Sequence, residues 1–299
     1  MKNFIYSIAL IVLFGCGTSV SQEAVQRDPE AFNKYWYAGE AEITSYELEQ
    51  ARYGEIHKGT SVLVFVTEPF SRSKQVKLDN WRDQSPDNVS VMKLNMTKKF
   101  LTGIYPYSMM MSAFTPVSQN QYPKTFKVTT SSQEWCGHTW MQVNLDKEDY
   151  QLKGYSYFES EGDVEAKVQD VLLEDELWSK IRLDPETLPE GEVRLLPSTF
   201  YLRLKHKDQV AQRAKASKME VKTSEFSESA HSRYAIEYSN RSLNIYFESS
   251  FPHTILGWEE SYAGLKTKAK RINSIKSAYW GKNSNSDRAI RKELGLAME

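Results

Sequence analysis

Few residues in this 299-residue chain stand at spacings that chemistry requires. The sharpest set is Trp135-Cys136-Gly137-His138. A cysteine nucleophile needs a base within hydrogen-bond reach. On a regular strand, residues two apart share a face but lie about 6.6 Å from each other. Cys136 and His138 therefore meet only if the chain bulges at Gly137, and no third, orienting group is identifiable. The competing reading is an inert thiol buried between Trp135 and Trp140, because free cysteine is among the most buried residue types. Met109-Met110-Met111 follows, with Met92 and Met96 upstream. On a strand Met109 and Met111 share a face, and thioethers suit Cu(I). No histidine or cysteine lies close to them, and methionines also serve as adaptable core or pocket filler. Glu159, Glu161, Asp163 and Glu165 offer oxygens but lack the calcium-loop pattern. The histidines at 57, 138, 206, 231 and 253 form no H-E-x-x-H pair, and there is no G-x-S-x-G, phosphate-binding glycine loop or dinucleotide fingerprint. The expectation is a non-enzymatic protein without metal or cofactor. A thiol-dependent or other hydrolase using Cys136 and His138 is the alternative.

Three aromatic clusters carry polar handles: Tyr35-Trp36-Tyr37, Tyr105-Pro106-Tyr107 and Tyr279-Trp280. Such side chains suit an apolar pocket or an interface. Trp36, Tyr105 and Tyr107 are the candidate ligand-binding residues, and placement in the core or at a barrel rim is the other use open to them.

Any such site needs an address and a frame. Lys2 precedes an apolar run from Phe4 to Phe14, interrupted by Tyr6 and Ser7. The run is shorter than the roughly 20 residues that span a bilayer, and it fits a signal-peptide core of about 7–15. It ends in Leu13-Phe14-Gly15-Cys16, which resembles the lipobox of bacterial lipoproteins. The resemblance implies cleavage before Cys16, lipid on its thiol and attachment to the cell envelope. Gly17, where an aspartate would signal inner-membrane retention, leans towards the outer membrane. Two or three acyl chains anchor stably, at about 0.8 kcal/mol per buried methylene. The expected partners are thus the membrane, through lipid on Cys16, and an apolar ligand or envelope protein.

The chain divides into residues 1–15 as signal peptide, 16–31 as lipidated cysteine and tether, and 32–299 as one domain. A flexible tether of that length holds the body within roughly 20–25 Å of the membrane. A formal net charge of −1 gives no electrostatic case for nucleic acid. Charged residues at 26% and a mean hydropathy of −0.57 describe a soluble body. With Cys16 lipidated, Cys136 is a lone thiol and no internal disulfide forms in a monomer.

The body reads as mainly β. Val62 to Val66 is a continuous apolar run, expected for a strand buried on both faces. Thr139 to Leu145, Phe200 to Lys205 and Leu243 to Phe247 alternate as half-buried strands. Val164, Val168, Val171, Leu172 and Trp178 recur at helical spacing, predicting one long helix near 164–182 capped by Asp163. A short helix is expected from Asp287 to Leu294 with Ser286 as cap, and residues 207–223 fit helix or strand. The fold class is α+β: a curled antiparallel sheet, barrel or half-barrel with the helix against its open face. That architecture resembles the carriers of periplasmic lipoprotein transport.

Tyr35-Trp36-Tyr37-Ala38-Gly39-Glu40, Glu134-Trp135-Cys136-Gly137-His138, Glu176-Leu177-Trp178 and Arg203-Leu204-Lys205-His206 together resemble an uncharacterised group of bacterial lipoproteins. Its members are commonly labelled "septum formation inhibitor Maf", and the similarity covers most of the chain beyond Cys16. True Maf proteins are cytoplasmic nucleotide pyrophosphatases with a Ser-x-Ser-Pro-Arg-Arg motif, which this sequence lacks. With an export signal as well, the resemblance implies the label without the activity, and no Maf catalytic residue is carried over.

Overall fold

The computed structural model describes residues 28–80, 82 and 85–297. The signal peptide, Cys16 and most of the expected tether lie outside the described residues. Helix α1 (Pro29–Trp36) starts on proline, and its cap Asp28 accepts hydrogen bonds from the backbone N–H groups of Glu30 at 2.9 Å and Ala31 at 3.3 Å. The helix buries Phe32 and Trp36, so residues 29–31 belong to the body.

Most of the molecule is one curled sheet. From the amino-terminal side come β1 (Ala41–Arg52), β2 (Glu55–Ser71), the stub β3 (Val76–Lys77), β4 (Asn88–Thr102), β5 (Tyr105–Pro116), β6 (Lys127–Glu134), β7 (Gly137–Asp146), β8 (Asp149–Ser156) and β9 (Val164–Val168). Then follow β10 (Leu172–Leu173), β11 (Gly191–Leu196), β12 (Gln212–Val221), β13 (His231–Glu237), β14 (Arg241–Phe247), β15 (Ile255–Tyr262) and β16 (Leu265–Ser277). The order across the sheet is β10-β11-β12-β13-β14-β15-β16-β1-β2-β4-β5-β6-β7-β8-β9, with β3 branching from β2. Pairing is antiparallel except for β10 with β11. Tyr53-Gly54 closes the β1–β2 hairpin with both φ angles positive (53° and 84°), the backbone of a type I′ turn. β9 and β10 are opposite edges of the sheet, yet only residues 169–171 separate them. That link spans at most about 14 Å, and Arg194 Nη1 donates across it to the Gln169 carbonyl at 2.8 Å. The sheet curls almost shut without a hydrogen-bonded seam.

The predicted long helix near 164–182 does not form. Val164, Ala166 and Val168 alternate with exposed Glu165 and Lys167, the period of a strand, and they are β9. Asp170 takes left-handed backbone (φ 45°), which no α-helix can run through. Only α2 (Leu177–Leu183) remains helical, after a 3-10 turn at Glu174–Glu176. Phe200 to Lys205, read as an alternating strand, is instead helix α3 (Thr199–Lys205), started by Ser198 accepting from the Phe200 N–H. Both helices lie inside the curl of the sheet, so apolar patterning has no exposed side to reveal. All seven residues of α2 are buried. Residues 212–221 resolve as β12. Near the carboxyl end, a 3-10 turn (Asn285–Ala289) leads into α4 (Ile290–Glu293), capped by Ser284 in a capping box with Asp287 rather than by Ser286.

Charges hold the two interior helices in place. Arg182 of α2 forms a bidentate pair with Glu42 of β1, one arm at 2.6 Å, and both side chains are inaccessible to solvent. Glu174 receives Arg241 of β14 at 2.5 and 2.6 Å and Tyr238 at 2.6 Å. Asp175 accepts from the Thr199 N–H at 2.9 Å and hydroxyl at 2.6 Å, tying α2 to α3. Trp178 packs edge-on against Trp258 of β15. The run Val62 to Val66 is covered on both sides, as its composition implied. Leu63 and Phe65 face the interior, while Val62, Val64 and Val66 face outward beneath Leu294, Leu296 and Tyr279 of the carboxyl-terminal segment.

A candidate ligand-binding groove

Two of the aromatic clusters, from opposite ends of the chain, meet on the outside of the sheet. Trp36 and Tyr37 end α1, Trp280 lies in a 3-10 turn after β16, and Val66, Pro69 and Val89 come from β2 and β4. They border a groove of about 900 Å³, within the size range of small-molecule sites. Trp36 borders the groove, but its ring is 1% exposed and packs inward on Phe65, with the Arg182 guanidinium 5.0 Å from its centroid. Its carbonyl accepts from Thr67 Oγ1 at 2.6 Å, and its buried indole N–H has no hydrogen-bond partner. Tyr37 and Trp280 are each about half exposed. The Tyr37 hydroxyl lies 2.8 Å from Ser90 Oγ, which orients its ring over the groove wall. Glu40, Lys77 and Asp79 mark the polar rim, and buried Glu68 in the floor pairs with Lys93 and approaches Lys77 at 3.6 Å.

Tyr105 and Tyr107 lie at the other end of the strands, about 40 Å away along β4. They do not share a site with Trp36. Tyr107 is buried and stacked on Phe100, and Tyr105 is half-buried. Their hydroxyls converge on Tyr53, with Tyr105 donating at 3.1 Å and Tyr107 lying at 2.8 Å. Arg52 donates to the hydroxyls of Tyr53 at 3.2 Å and Tyr107 at 3.3 Å, and to the Leu204 carbonyl. His206, 3.5 Å from Arg52, has its Nδ1 2.5 Å from Glu161. Partial burial raises the Tyr53 phenol, but the bonds from its two tyrosine neighbours and Arg52 outweigh it, and the net shift is downward. Tyr53 and His206 both occupy left-handed backbone (φ 53° and 48°), rare for side chains of this bulk. Sequence inspection missed Arg52, Tyr53 and His206 because strand ends bring them together. The arrangement braces α3 against the ends of β1 and β5.

Cys136 and His138 are not joined. Cys136 is exposed on the β6–β7 turn, which corrects the reading of a buried thiol. The turn is a two-residue loop in which Glu134 pairs with Gly137, so Cys136 stays outside the ladder. Its polar partner is Glu134. The carboxylate accepts from the Cys136 N–H at 3.1 Å, and its hydrogen bond to the thiol raises the thiol pKa. That is the reverse of activation. His138 is exposed and lines a shallow outer groove with Met110, Trp140 and Tyr157. Met109 and Met111 share the inner face and are buried in the core with Met92 and Met96.

No protein-family model and no curated protein matches the chain. Among solved structures, a beta-barrel-like protein of domain of unknown function DUF1849 from Brucella abortus is similar, with a TM-score of 0.49 and 7% identity over 80% of this chain and 98% of that one.

Proposed function

We propose that this chain is a lipid-anchored cell-envelope protein, held at the outer membrane through Cys16, whose body binds an apolar ligand in the groove between Trp36, Tyr37 and Trp280. The observation that carries this reading is the groove itself. A volume of about 900 Å³ walled by aromatic and aliphatic side chains remains open to solvent beside the helix that begins the body. α1 spans about 12 Å, so the chain arriving from Cys16 enters close to the groove mouth. A ligand partitioned in the bilayer then has a short route to it. The polarity of the site supports binding rather than chemistry, since apart from the ion-paired Glu68 its carboxylates and lysines stand at the rim while the walls are apolar.

Two measurements test the two halves of the reading. Labelled palmitate should enter the protein in bacteria, and Cys16→Ser should abolish incorporation; undiminished labelling of that variant removes the anchor. Native mass spectrometry of the detergent-purified protein should show a bound lipid-sized adduct. Trp280→Ala and Tyr37→Ala together should reduce its occupancy at least tenfold while leaving the melting temperature within a few degrees. An adduct unaffected by the double variant removes the groove from the function.

A further inference from the structure

A second cavity, of about 370 Å³, lies farther along the same outer face. Its floor is Ile43, Val62 and Val64 of the sheet, and its roof is Ile290, Leu294 and Leu296 of the carboxyl-terminal segment. The segment is strapped down by Ser45 Oγ donating to the Leu294 carbonyl at 2.5 Å and Asn273 donating to the Glu293 carbonyl at 2.6 Å. The two cavities lie along the same strand and share no lining residue. Val64 lines this one, Val66 lines the aromatic groove, and Tyr279-Trp280 stands between them. Outward residues of β2 from Thr60 to Glu68 therefore floor one track of about 26 Å.

The track is electrically polar. Lys99, Lys282 and Arg291 line its covered end, against the single carboxylate of Asp287. Among the described residues none of the three forms an ion pair within 4.0 Å, although Lys282 lies close enough to help lower the Asp287 carboxyl and Arg291 Nε donates to the Ala297 carbonyl at 2.8 Å. Asp287 is already engaged by the Ser284 N–H at 3.0 Å and hydroxyl at 2.7 Å. The aromatic end has a slight acidic excess, with Glu40, Glu68 and Asp79 against Lys77 and the Lys93 that pairs with Glu68. At physiological ionic strength charges are screened over about 8 Å, so each end acts on a ligand by its own sign.

We propose, resting on the reading that this face takes an apolar ligand, that the track holds a single-chain amphiphile with an anionic head. The carboxylate or phosphate sits among Lys99, Lys282 and Arg291. The chain runs beneath the carboxyl-terminal segment along Val62, Val64 and Val66 to Trp280. Its tail, not its head, reaches the acidic rim.

The test is photolabelling of the full-length protein in nonionic detergent with a diazirine-bearing myristic acid, with adducts mapped by mass spectrometry. Adducts should fall on residues 60–66 and 279–296. Unlabelled myristate should suppress them at least tenfold better than tetradecanol. Comparing myristate with tetradecyl phosphate identifies which anionic head is preferred, and either preference fits. Lys99→Glu and Lys282→Glu, both at exposed positions, should each lower labelling severalfold, and Lys282→Arg should retain it. Equal competition by tetradecanol, or labelling indifferent to both charge reversals, overturns the anionic head while the apolar groove stands. Adducts confined to residues 36–40 and 280 overturn the track and keep the groove. Adducts absent from the whole outer face overturn both.

Discussion

Glu42 and Arg182 show how one pair of side chains can fix an interior. Burial alone would raise the Glu42 carboxyl, but the charge and hydrogen bonds of Arg182 hold it below its ordinary value of 4.5. A carboxylate lowered by folding contributes stability that is fully present above about pH 4.5 and is lost as the pH falls through the folded pKa. Glu260, half-buried against Arg241, shifts the same way, so both pairs should weaken as the pH falls. Glu42→Gln leaves a buried guanidinium uncompensated, and urea denaturation at pH 7 should show a loss of about 3–5 kcal/mol. Below the folded pKa the difference from wild type should shrink. Cys136 offers a second residue-scale test. Its thiol sits above its ordinary value of 9.0 because of the hydrogen bond to Glu134. Glu134→Gln should lower the thiol pKa and speed iodoacetamide alkylation at pH 8 severalfold, whereas His138→Ala should leave the rate unchanged. The opposite pattern would restore His138 as the base. Much of the groove was legible at this scale, because Trp36 and Trp280 stand in conspicuous aromatic clusters. Their union was not, because strand pairing between β1 and β16 brings residues more than two hundred positions apart side by side.

Among the elements, the two interior helices account for the largest gap between sequence and structure. A helix on a surface shows an apolar stripe. A helix wrapped by a sheet buries its charged side chains as well, as Glu174, Asp175, Lys180 and Arg182 are buried here. The strands were easier. Met141 and Val143, and likewise Leu243, Ile245 and Phe247, face the core as their alternation required. Where elements pack most closely, glycine is demanded by space. A Cβ on Gly257 of β15 would stand 2.3 Å from the Phe226 ring and 2.4 Å from the Ala269 carbonyl oxygen. Gly257→Ala should therefore cost about 1–3 kcal/mol, read as a lower midpoint in thermal unfolding. An unchanged midpoint would mean that both the Phe226 loop and the β16 backbone at Ala269 yield freely.

At the scale of the whole molecule, the curled sheet separates two ends with different work. One end gathers α1 and the groove. The other is braced by Arg52, Tyr53, Tyr107 and His206, about 40 Å away. The broad architecture was foreseeable, since many alternating segments joined by short turns leave an antiparallel sheet that must curl to bury its apolar face. The expected long helix against the open face of a half-barrel is replaced by the short α2 and α3, which pack into the interior. The proposed ligand groove lies on the outer face, and the carboxyl-terminal segment roofs the cavity farther along it.

The strand order carries one more consequence. Read around the sheet, it runs from 10 to 16 and continues from 1 to 9, with β3 as a side branch. This is the order of the sequence itself, cut at the link between β9 and β10 and joined at β16 and β1. A circular permutant starting at residue 172 and ending at 168, with residue 297 linked back to residue 28, would lay down its path strands in strict succession. In topological terms the sheet begins and ends at its unbonded seam, while the strands nearest the two ends of the described chain are neighbours in its interior.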